Sequence, residues 1–316
     1  MSVCVYYGEA LARYGFGQGH PFGPDRLEAF WRQLVQQELN HSVITCTPVM
    51  CSDDDLLLFH TPDYIAQVKQ QSESGEGYLD SGDTPAFKGV YEAASFVVGS
   101  VLDALEKILH GGCTRAFVPI AGLHHAYRHR AKGFCVFNDI GVGIEWLRRR
   151  HNIHRIAYVD IDAHHGDGVF YSFESDPDLI FADFHEDGHY LYPGTGAVTE
   201  TGKGAAVGTK LNIPMPPRAD DRLFFEIWPQ IEIFIRNAEP EIILLQAGAD
   251  SIAGDPITHM AYSPDVHAHA TRQLCLLANE FCQGRLLATG GGGYHRGNLA
   301  RAWTAVVKSL IEAEAP

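Results

Sequence analysis

Apolar runs the length of a strand alternate with amphipathic stretches along the whole chain. This alternation is typical of an α/β protein. We predict strands at residues 2–7, 43–46, 116–120, 155–160, 179–184, 209–213, 241–247 and 285–289. The run from Ile156 to Val159 is apolar at every position rather than at alternate ones, which indicates a strand buried on both faces of a parallel sheet.

Helices are predicted between several of these strands. Thr61 and Ser263 each precede a proline, and Ser52 precedes three Asp residues, so all three suit the start of a helix. The apolar residues between Val97 and Leu109 recur at helical spacing. The predicted helices span 61–71, 85–110, 139–150 with Asp139 as the N-cap, 220–237 and 263–282. Strands alternating with helices predict a mainly parallel sheet with helices on both faces.

The composition indicates one domain, residues 1–316, with a large apolar core. Hydrophobic residues make up 46% of the chain, and no repeat or low-complexity linker divides it. The amino terminus lacks the basic and apolar regions of a signal peptide, and no apolar stretch approaches the roughly 20 residues of a membrane span. The seven cysteines are an odd number without CxxC pairing, which is typical of free thiols in a reducing compartment. We therefore predict a cytoplasmic protein without a membrane segment.

The formal net charge of −15 narrows the range of expected partners. Nucleic-acid binding depends on neutralising phosphates with basic side chains, so direct binding to nucleic acid is disfavoured. A cationic substrate would instead be attracted to the acidic surface.

The most informative segment is Val-Asp-Ile-Asp-Ala-His-His-Gly-Asp-Gly-Val at 159–169. The groups in it that can bind metal or transfer protons are Asp160, Asp162, His164, His165 and Asp167. Alternate side chains of an extended segment share a face, so Asp160, Asp162 and His164 can converge at the carboxyl end of a strand, where open α/β sheets bind ligands. Buried acids at such a point are usually neutralised by a cation. The segment predicts a metal site; a solvated acidic loop with one capping Asp is the alternative.

Four further segments with chemically active residues follow predicted strands. They are residues 121–126, 133–139, 246–251 and 289–294. His124 and His125 are adjacent and can reach one site only where the backbone turns; two surface histidines are the alternative in a chain with 17 of them. Asp250 ends a strongly apolar strand and suits a third metal ligand, with helix capping as the alternative. The four glycines at 290–293 allow the backbone to approach a ligand closely and can aim Tyr294.

Taken together, these segments resemble the zinc-dependent histone deacetylase family. The resemblance extends from Tyr-Gly-Phe-Gly-Gln-Gly-His-Pro at 14–21 to residues 290–302. It is strongest with class I and bacterial acetoin-utilisation-type deacetylases, on Gly-Asp-Thr-Pro at 82–85 and His-Glu-Asp-Gly-His-Tyr-Leu-Tyr-Pro-Gly-Thr-Gly at 185–196. It implies the single-domain, three-layer arginase–deacetylase fold with a mainly parallel central β-sheet, and hydrolysis of an acyl amide to a free amine and acetate.

The resemblance also implies the roles of the site residues. It makes Asp162, His164 and Asp250 the ligands of one zinc ion, which would lower the pKa of a bound water to about 7 and polarise the substrate carbonyl. His125, paired with Asp167, is expected to be the general base and then the acid. His124, paired with Asp160, is expected to act as an electrostatic partner. The hydroxyl of Tyr294 is expected to stabilise the oxyanion.

Four residues are expected, by the same resemblance, to contact substrate or product. Phe134 and Tyr192 match the walls of a tunnel around the lysine stem. Asp83 matches an acid at the rim that accepts hydrogen bonds from the substrate backbone, and Arg26 matches an internal arginine associated with acetate release. Core packing for Phe134, a turn cap for Asp83 and a surface ion pair for Arg26 are the alternatives.

An inner potassium site is implied as well. The backbone of Asp160, Asp162, His164 and Phe184, together with the Asp162 side chain, would form it. Asp183 stands where many relatives carry serine. This departure adds a negative charge beside the expected cation.

Two other functions are compatible with this fold class. A binuclear manganese ureohydrolase would place several acids close to Asp250, whereas the next acid along this chain is Asp255. A catalytically silent protein that only binds acyl-lysine would not need Tyr294 and both tandem histidines. Acetyl-lysine in proteins or peptides is the expected substrate class, and acetylated polyamines or other small acetylated amines are the main alternative. The sequence does not predict an oligomeric state.

Overall fold

A single parallel sheet forms the centre of the molecule. The computed structural model describes residues 2–17 and 19–313. The strands are β1 (Val3–Tyr6), β2 (Ile44–Cys46), β3 (Arg115–Val118), β4 (Ile156–Asp160), β5 (Leu179–Glu186), β6 (Lys210–Met215), β7 (Ile242–Gln246) and β8 (Leu286–Thr289). Their order is β2-β1-β3-β8-β7-β4-β5-β6, and every neighbouring pair is parallel. The prediction of a mainly parallel sheet is confirmed, and each predicted strand segment overlaps one strand.

Helices cover both faces of this sheet. They are α1 (Glu9–Ala12), α2 (Arg26–Gln36), α3 (Asp53–Leu56), α4 (Pro62–Ser74), α5 (Val90–Leu109), α6 (Asp139–His151), α7 (Asp167–Ser172), α8 (Asp221–Ile227), α9 (Pro229–Ala238), α10 (Pro264–Phe281) and α11 (Arg296–Glu312). Helices α2, α10 and α11 pack together, with α10 against β7 and β8. Helices α4, α5 and α6 form a second group, with α5 against β3 and β8. Strands buried along their whole length, such as β4 and β7, lie between these layers.

One predicted helix is broken in the structure. The stretch 220–237 forms α8 and α9, which meet at Trp228. Pro229 has no N–H group and its ring excludes the carbonyl of the preceding turn, so it can start a helix but cannot continue one. The Trp228 amide still closes α8 by donating to the carbonyl of Phe224 at 2.9 Å.

The predicted start of one helix and the predicted N-cap of another are wrong. The long helix starts at Val90 rather than near 85, after Gly89 adopts a φ of 88°. The N-cap of α6 is Asn138, whose side chain accepts a hydrogen bond from the N–H of Gly141. Asp139 is instead the first helical residue. Its buried carboxylate serves the neighbouring histidine loop.

Helices α2 and α11 are absent from the sequence prediction, although both have an apolar face. In α2 the N-cap position is Asp25, whose side chain makes no capping hydrogen bond. In α11 the N-cap is His295, a residue type that is not favoured there, and its ring accepts from the N–H of Asn298. The start of α11 therefore lacks the usual sequence signal, whereas α2 has a favoured N-cap residue that makes no capping hydrogen bond.

The strand order places five chain segments around one point. Strands β3, β8, β7, β4 and β5 are consecutive in the sheet and parallel, so their carboxyl ends lie at the same edge. The segments that leave these ends are 119–126, 290–295, 247–255, 161–167 and 187–196. Strands β3 and β4 follow one another along the chain, but β8 and β7 lie between them in the sheet. Open α/β sheets bind ligands at points where the strand order changes in this way.

The packing of α5 predicts that alanine at Gly99 destabilises the protein, although alanine has a higher helix propensity than glycine. A Cβ added at Gly99 would lie 2.2 Å from the carbonyl oxygen of Val49 and 2.4 Å from the amide nitrogen of Cys51. Alanine normally stabilises a helix by about 1 kcal/mol relative to glycine, yet overpacking typically costs about 1–3 kcal/mol. We expect Gly99→Ala to lower the free energy of unfolding, as measured by urea denaturation.

Gly143 in α6 is the matched control. A Cβ there would meet only side-chain carbons, the nearest being Cδ1 of Leu105 at 3.3 Å. Gly143→Ala should therefore cost much less than Gly99→Ala. Equal stabilities of the two variants would contradict the close approach of α5 to residues 49–51.

All seven cysteines are buried and free. Burial raises the pKa of Cys51 and of Cys282 to about 12, so these thiols stay protonated at neutral pH. Among the described residues, no helix combines the length and apolar character needed to cross a bilayer.

Candidate active site

The loop after β3 carries two histidines whose rings face each other. Nε2 of His124 lies 3.1 Å from Nε2 of His125. The loop turns because the Asp139 carboxylate accepts hydrogen bonds from the N–H groups of Gly122 and Leu123, at 3.0 and 2.8 Å. This anchor at the start of α6 allows adjacent residues to point into one site.

Each histidine is paired with one buried carboxylate. Nδ1 of His124 lies 2.7 Å from Asp160 at the end of β4, and Nδ1 of His125 lies 2.7 Å from Asp167 at the start of α7. All four side chains are almost completely buried. A carboxylate on Nδ1 fixes the ring orientation and leaves Nε2 for a reactant.

Three side chains that the sequence prediction does not identify support these carboxylates. Tyr158 donates a hydrogen bond to Asp160. Tyr127 donates to Asp167 at 2.9 Å, and the ammonium of Lys132 forms an ion pair with the same carboxylate oxygen. A lysine beside this acid adds positive charge close to the His125 pair.

The two histidines differ in their protonation. Burial opposes a charge on His124, but the carboxylates of Asp160 and Asp162 raise its pKa to about 9. Burial and the neighbouring charge of His124 lower the pKa of His125 to about 3. Burial likewise opposes ionisation of Asp167, but its contacts with His125 and Lys132 hold its pKa below the usual range. The lowered pKa favours the neutral form of His125, whose Nε2 atom faces Nε2 of His124.

Beside this pair, Asp162, His164 and Asp250 form a cluster of metal-ligand type. Their ligand atoms all lie within 4.8 Å of one another, and the three residues are buried. Nδ1 of His164 is 3.1 Å from Asp162 and 3.0 Å from Asp250. Burial and the Asp162 carboxylate raise the pKa of Asp250 to about 7. Two buried acids facing one imidazole form a set of donors that a divalent cation would neutralise.

Backbone and amide groups orient this cluster. Gln246, which ends β7, donates through Nε2 to Oδ2 of Asp162 at 2.9 Å, and Gly292 donates its N–H to the same oxygen at 2.8 Å. The N–H of Ala163 holds Asp250 at 2.9 Å. A Cβ at Gly292 would lie 2.0 Å from a carboxylate oxygen of Asp250, so the glycine run is required by close approach to the cluster. Gln246 has no assigned role in the sequence prediction.

The glycine run positions Tyr294 at the opposite side of the cluster. The Tyr294 amide donates to the Asp255 carboxylate at 2.8 Å. Tyr294 lines a cavity of about 310 Å³. The full lining is Asp83, His125, Gly133, Phe134, His164, Leu191, Tyr192, Ile257 and Tyr294. His125 of the tandem pair, His164 of the cluster and Tyr294 thus share one cavity.

One wall of this cavity has an unusual backbone conformation. Phe134 has a φ of 67°, in the left-handed region that residues with a side chain rarely adopt. The hydroxyl of Tyr14 donates to the carbonyl of Phe134 at 2.7 Å and accepts from the N–H of Val136 at 3.0 Å. The N–H of Phe134 donates to Oγ1 of Thr84 at 3.1 Å. These contacts hold the ring at the cavity, 5.8 Å from the Tyr294 ring.

Asp83 and Tyr192 lie at the mouth. The ring of Tyr192 is 5.3 Å from that of His125, nearly perpendicular to it. Asp83 is exposed and lines the cavity from a loop that the Asp80 carboxylate organises through the N–H groups of residues 82–84. Partial desolvation of its carboxyl and the adjacent Asp80 carboxyl raise the pKa of Asp83 to about 6.

Arg26 lies close to Tyr294 in the interior rather than on the surface. It is fully buried, and its guanidinium donates to the carbonyls of Gly293 at 2.9 Å and Gly291 at 2.6 Å. Its Cζ atom is 5.7 Å from the centre of the Tyr294 ring. The surface ion-pair alternative for Arg26 is therefore wrong, and a role in acetate release stays a prediction.

Asp183 is paired with a histidine. Its carboxylate lies 2.8 Å from Nδ1 of His185 and accepts the N–H of Gly166 at 2.8 Å. Burial opposes the charges, but the two groups lower the pKa of Asp183 and raise that of His185, which makes a buried ion pair. The added negative charge is thus balanced within the protein. Potassium binding by the residues around Phe184 stays a prediction.

Comparison with known proteins agrees with this geometry. The family model described as "Histone deacetylase domain" matches residues 20–310. The "Acetoin utilization protein AcuC" of Bacillus subtilis is 37% identical over 309 residues, covering 95% of this chain and 80% of the relative. The protein of the same name from Staphylococcus xylosus is 33% identical over 321 residues, with 98% and 83% covered. The "Crystal Structure of HDA15 HD domain" superimposes with a TM-score of 0.90 at 25% identity, over 98% of this chain and 89% of that chain.

Proposed function

Because the chain belongs to the histone deacetylase family and is a deacetylase, we propose that it uses one zinc ion to hydrolyse Nε-acetyl-lysine to lysine and acetate. One observation carries the proposal. The neutral His125, paired with Asp167, shares a narrow cavity with His164 of the ligand cluster and with Tyr294. A base, a metal-ligand set and a hydroxyl donor around one cavity form the arrangement that amide hydrolysis requires.

The residues present fit a zinc ion. Asp162, His164 and Asp250 offer two carboxylates and one imidazole, a donor set that catalytic zinc sites use. Their burial leaves excess negative charge that a divalent cation would balance. When bound there, zinc would polarise the amide carbonyl and make the attacking water more acidic.

The side chains around the cavity would carry out the proton transfers. His125 accepts a proton at Nε2, while Asp167 on its Nδ1 stabilises the resulting cation. His124, held by Asp160 at its Nδ1, acts as an electrostatic partner for negative charge that develops on the substrate. The hydroxyl of Tyr294 donates to the carbonyl oxygen as it becomes an oxyanion. His125 then returns its proton to the departing amine.

The shape of the cavity favours a linear alkyl stem. Phe134 and Tyr192 both line it, and it extends from the exposed Asp83 to the buried His164 of the cluster. An apolar channel of this kind contacts the methylene groups of a lysine side chain and places only its terminal amide near His164.

The structure offers no support for a second catalytic metal at Asp250. A binuclear ureohydrolase would need further acids close to Asp250, and the next acid along this chain is Asp255. Its carboxylate accepts hydrogen bonds from the N–H groups of Ile257 and Tyr294, at 3.1 and 2.8 Å. Asp255 therefore acts as a loop anchor, and a mononuclear site is favoured.

Comparison of substrates tests the proposal. We expect kcat/KM on acetyl-lysine peptides to exceed that on acetylated polyamines of similar length. The same peptide with unacetylated lysine gives the background signal of the assay. Rapid turnover of acetylpolyamines together with none of acetyl-lysine would replace the proposed substrate with the small-molecule alternative.

Asp83→Asn separates the same two substrate classes at the rim. The amide keeps an acceptor oxygen and removes the charge, so a peptide, which offers backbone N–H groups, should lose only modest affinity with weak salt dependence. A polyamine would bind Asp83 through its distal ammonium, so its kcat/KM should fall to a small fraction in Asp83→Asn. In the wild type, binding of the polyamine should weaken steeply as salt is added. We expect the peptide pattern in measurements of KM against ionic strength. Because Asp83 has a pKa of about 6, the difference between the two proteins should shrink as pH falls through that value.

A further inference from the structure

A second cavity adjoins the mouth of the active-site cavity. Its volume is about 390 Å³, and it shares Asp83 and Tyr192 with the active-site cavity. The full lining is Asp80, Ser81, Gly82, Asp83, Arg130, Ala131, Lys132 and Tyr192. A substrate whose stem fills the inner cavity would place whatever is attached to its α-carbon in this outer cavity, which we call the rim cavity.

The two sides of the rim cavity carry opposite charge. Residues 80–83 supply two acids, and residues 130–132 supply two cations. On the acidic side, Asp80 is occupied by backbone N–H groups of its own loop, so Asp83 is the acid available to a ligand. This basic side stands out on a protein with a net charge of −15.

Arg130 is the cation available on the basic side. The ammonium of Lys132 is engaged by Asp167. Within residues 2–17 and 19–313, the guanidinium of Arg130 makes neither an ion pair nor a hydrogen bond, and the residue is exposed. An exposed arginine that faces a cavity next to a catalytic site can bind an anionic group of the substrate.

The position of Arg130 is fixed by its neighbours. Its Cζ atom lies 4.6 Å from the centre of the Tyr127 ring. Tyr127 is itself anchored by its hydroxyl to Asp167, and its N–H donates to the carbonyl of Arg130 at 3.0 Å. A cation held on an aromatic face in this way loses less side-chain freedom when it binds a ligand.

We infer that Arg130 is a specificity-determining residue that favours N-acyl-lysine substrates with a carboxylate next to the modified side chain. The inference rests on the proposed function, which it deepens. The carboxylate is either the α-carboxylate of the acyl-lysine itself or an acidic side chain that flanks it in a peptide. The same arginine disfavours polycations, whose distal ammonium groups would enter the rim cavity.

The test compares substrates that differ in one charge. One arm uses blocked peptides with Asp, Asn or Lys flanking the acetyl-lysine. The other uses Nα-blocked acetyl-lysine with a free carboxylate or as its carboxamide. In the wild type we expect kcat/KM to be about three- to fivefold higher for the acidic member at low salt, as for exposed ion pairs, and the advantage to fade in high salt. The arm that shows the advantage identifies the source of the carboxylate.

Charge reversal makes the result specific to Arg130. Arg130→Glu should invert the peptide order, so that the Lys peptide becomes better than the Asp peptide. The matched control is Arg149→Gln, at the far end of α6, where the arginine pairs with Glu145. It removes one positive charge away from the mouth and should keep the wild-type order. Thermal unfolding of both variants verifies that they are folded.

The outcomes separate this inference from the proposed function. If the wild type hydrolyses all acetyl-lysine substrates and Arg130→Glu leaves their order unchanged in both arms, the inference is wrong and the proposed function stands. If the wild type hydrolyses none of them, the proposed function fails and the inference fails with it.

Discussion

Replacing Tyr294 by phenylalanine is expected to lower kcat by roughly 100- to 1,000-fold, the usual effect of losing one oxyanion donor. The ring contacts with Phe134 and Phe22 would remain. In the described part of the chain, the Tyr294 hydroxyl has no hydrogen-bond partner whose loss could destabilise the protein. The free energy of unfolding and the zinc content should therefore barely change, which steady-state kinetics and thermal unfolding would establish together.

Two further variants make this result interpretable. Tyr7→Phe removes a hydroxyl that donates to Glu28 on the outside of the molecule, and should leave kcat within about twofold. His125→Ala removes the proposed base and should be about as damaging as Tyr294→Phe. Near-normal turnover in both Tyr294→Phe and His125→Ala would mean that the active site lies elsewhere.

Removing the metal is expected to abolish activity altogether. The purified protein should contain about one tightly held transition metal per chain. Chelation should eliminate turnover, and zinc or cobalt should restore it, because Asp162, His164 and Asp250 form one open donor set. Binding to the folded state alone should also stabilise the protein, by about 2.7 kcal/mol at a free metal concentration of 100 times Kd. Elemental analysis and thermal unfolding with added zinc provide readouts that do not depend on catalysis.

The ligand cluster can be tested against a surface histidine. His164→Ala should lose the metal and the stabilisation by zinc. His189→Ala makes the same substitution on a side chain that is 87% exposed, and should keep both. Two catalytic metals per site, or full activity of the metal-free protein, would overturn the assignment.

Most of the fold is predictable from the sequence, for a specific physical reason. A strand buried on both faces needs an unbroken apolar run, and β4 and β7 are such runs, so periodicity locates them. Helix boundaries depend on caps and breaks that are more local. The break at Pro229 follows from the missing N–H group and could have been foreseen, whereas the start of α11 at His295 depends on a ring that accepts a hydrogen bond only in the folded chain.

Some residues of the candidate site can likewise be predicted from the sequence, and others cannot. Residues that follow strands in motifs, such as Asp162 and His124, can be found from the sequence because parallel strands bring their carboxyl ends together. The groups that orient them cannot. Lys132 reaches Asp167, and Gln246 reaches Asp162, only through contacts between distant parts of the chain. The sequence indicates which groups react, and the structure adds what sets their charge and direction.

The left-handed backbone at Phe134 has a consequence for how this enzyme could diversify. Such a conformation costs about 1–3 kcal/mol and persists only where its surroundings hold it. Here the holding groups are Oγ1 of Thr84 and the hydroxyl of Tyr14. Tyr14 lies 120 positions earlier in the chain than Phe134 and does not line the active-site cavity. A mutation at Tyr14 would thus alter the wall that contacts the alkyl stem of the substrate without altering any reacting residue. Substitutions in the amino-terminal segment are therefore an indirect route to changing the shape of the channel.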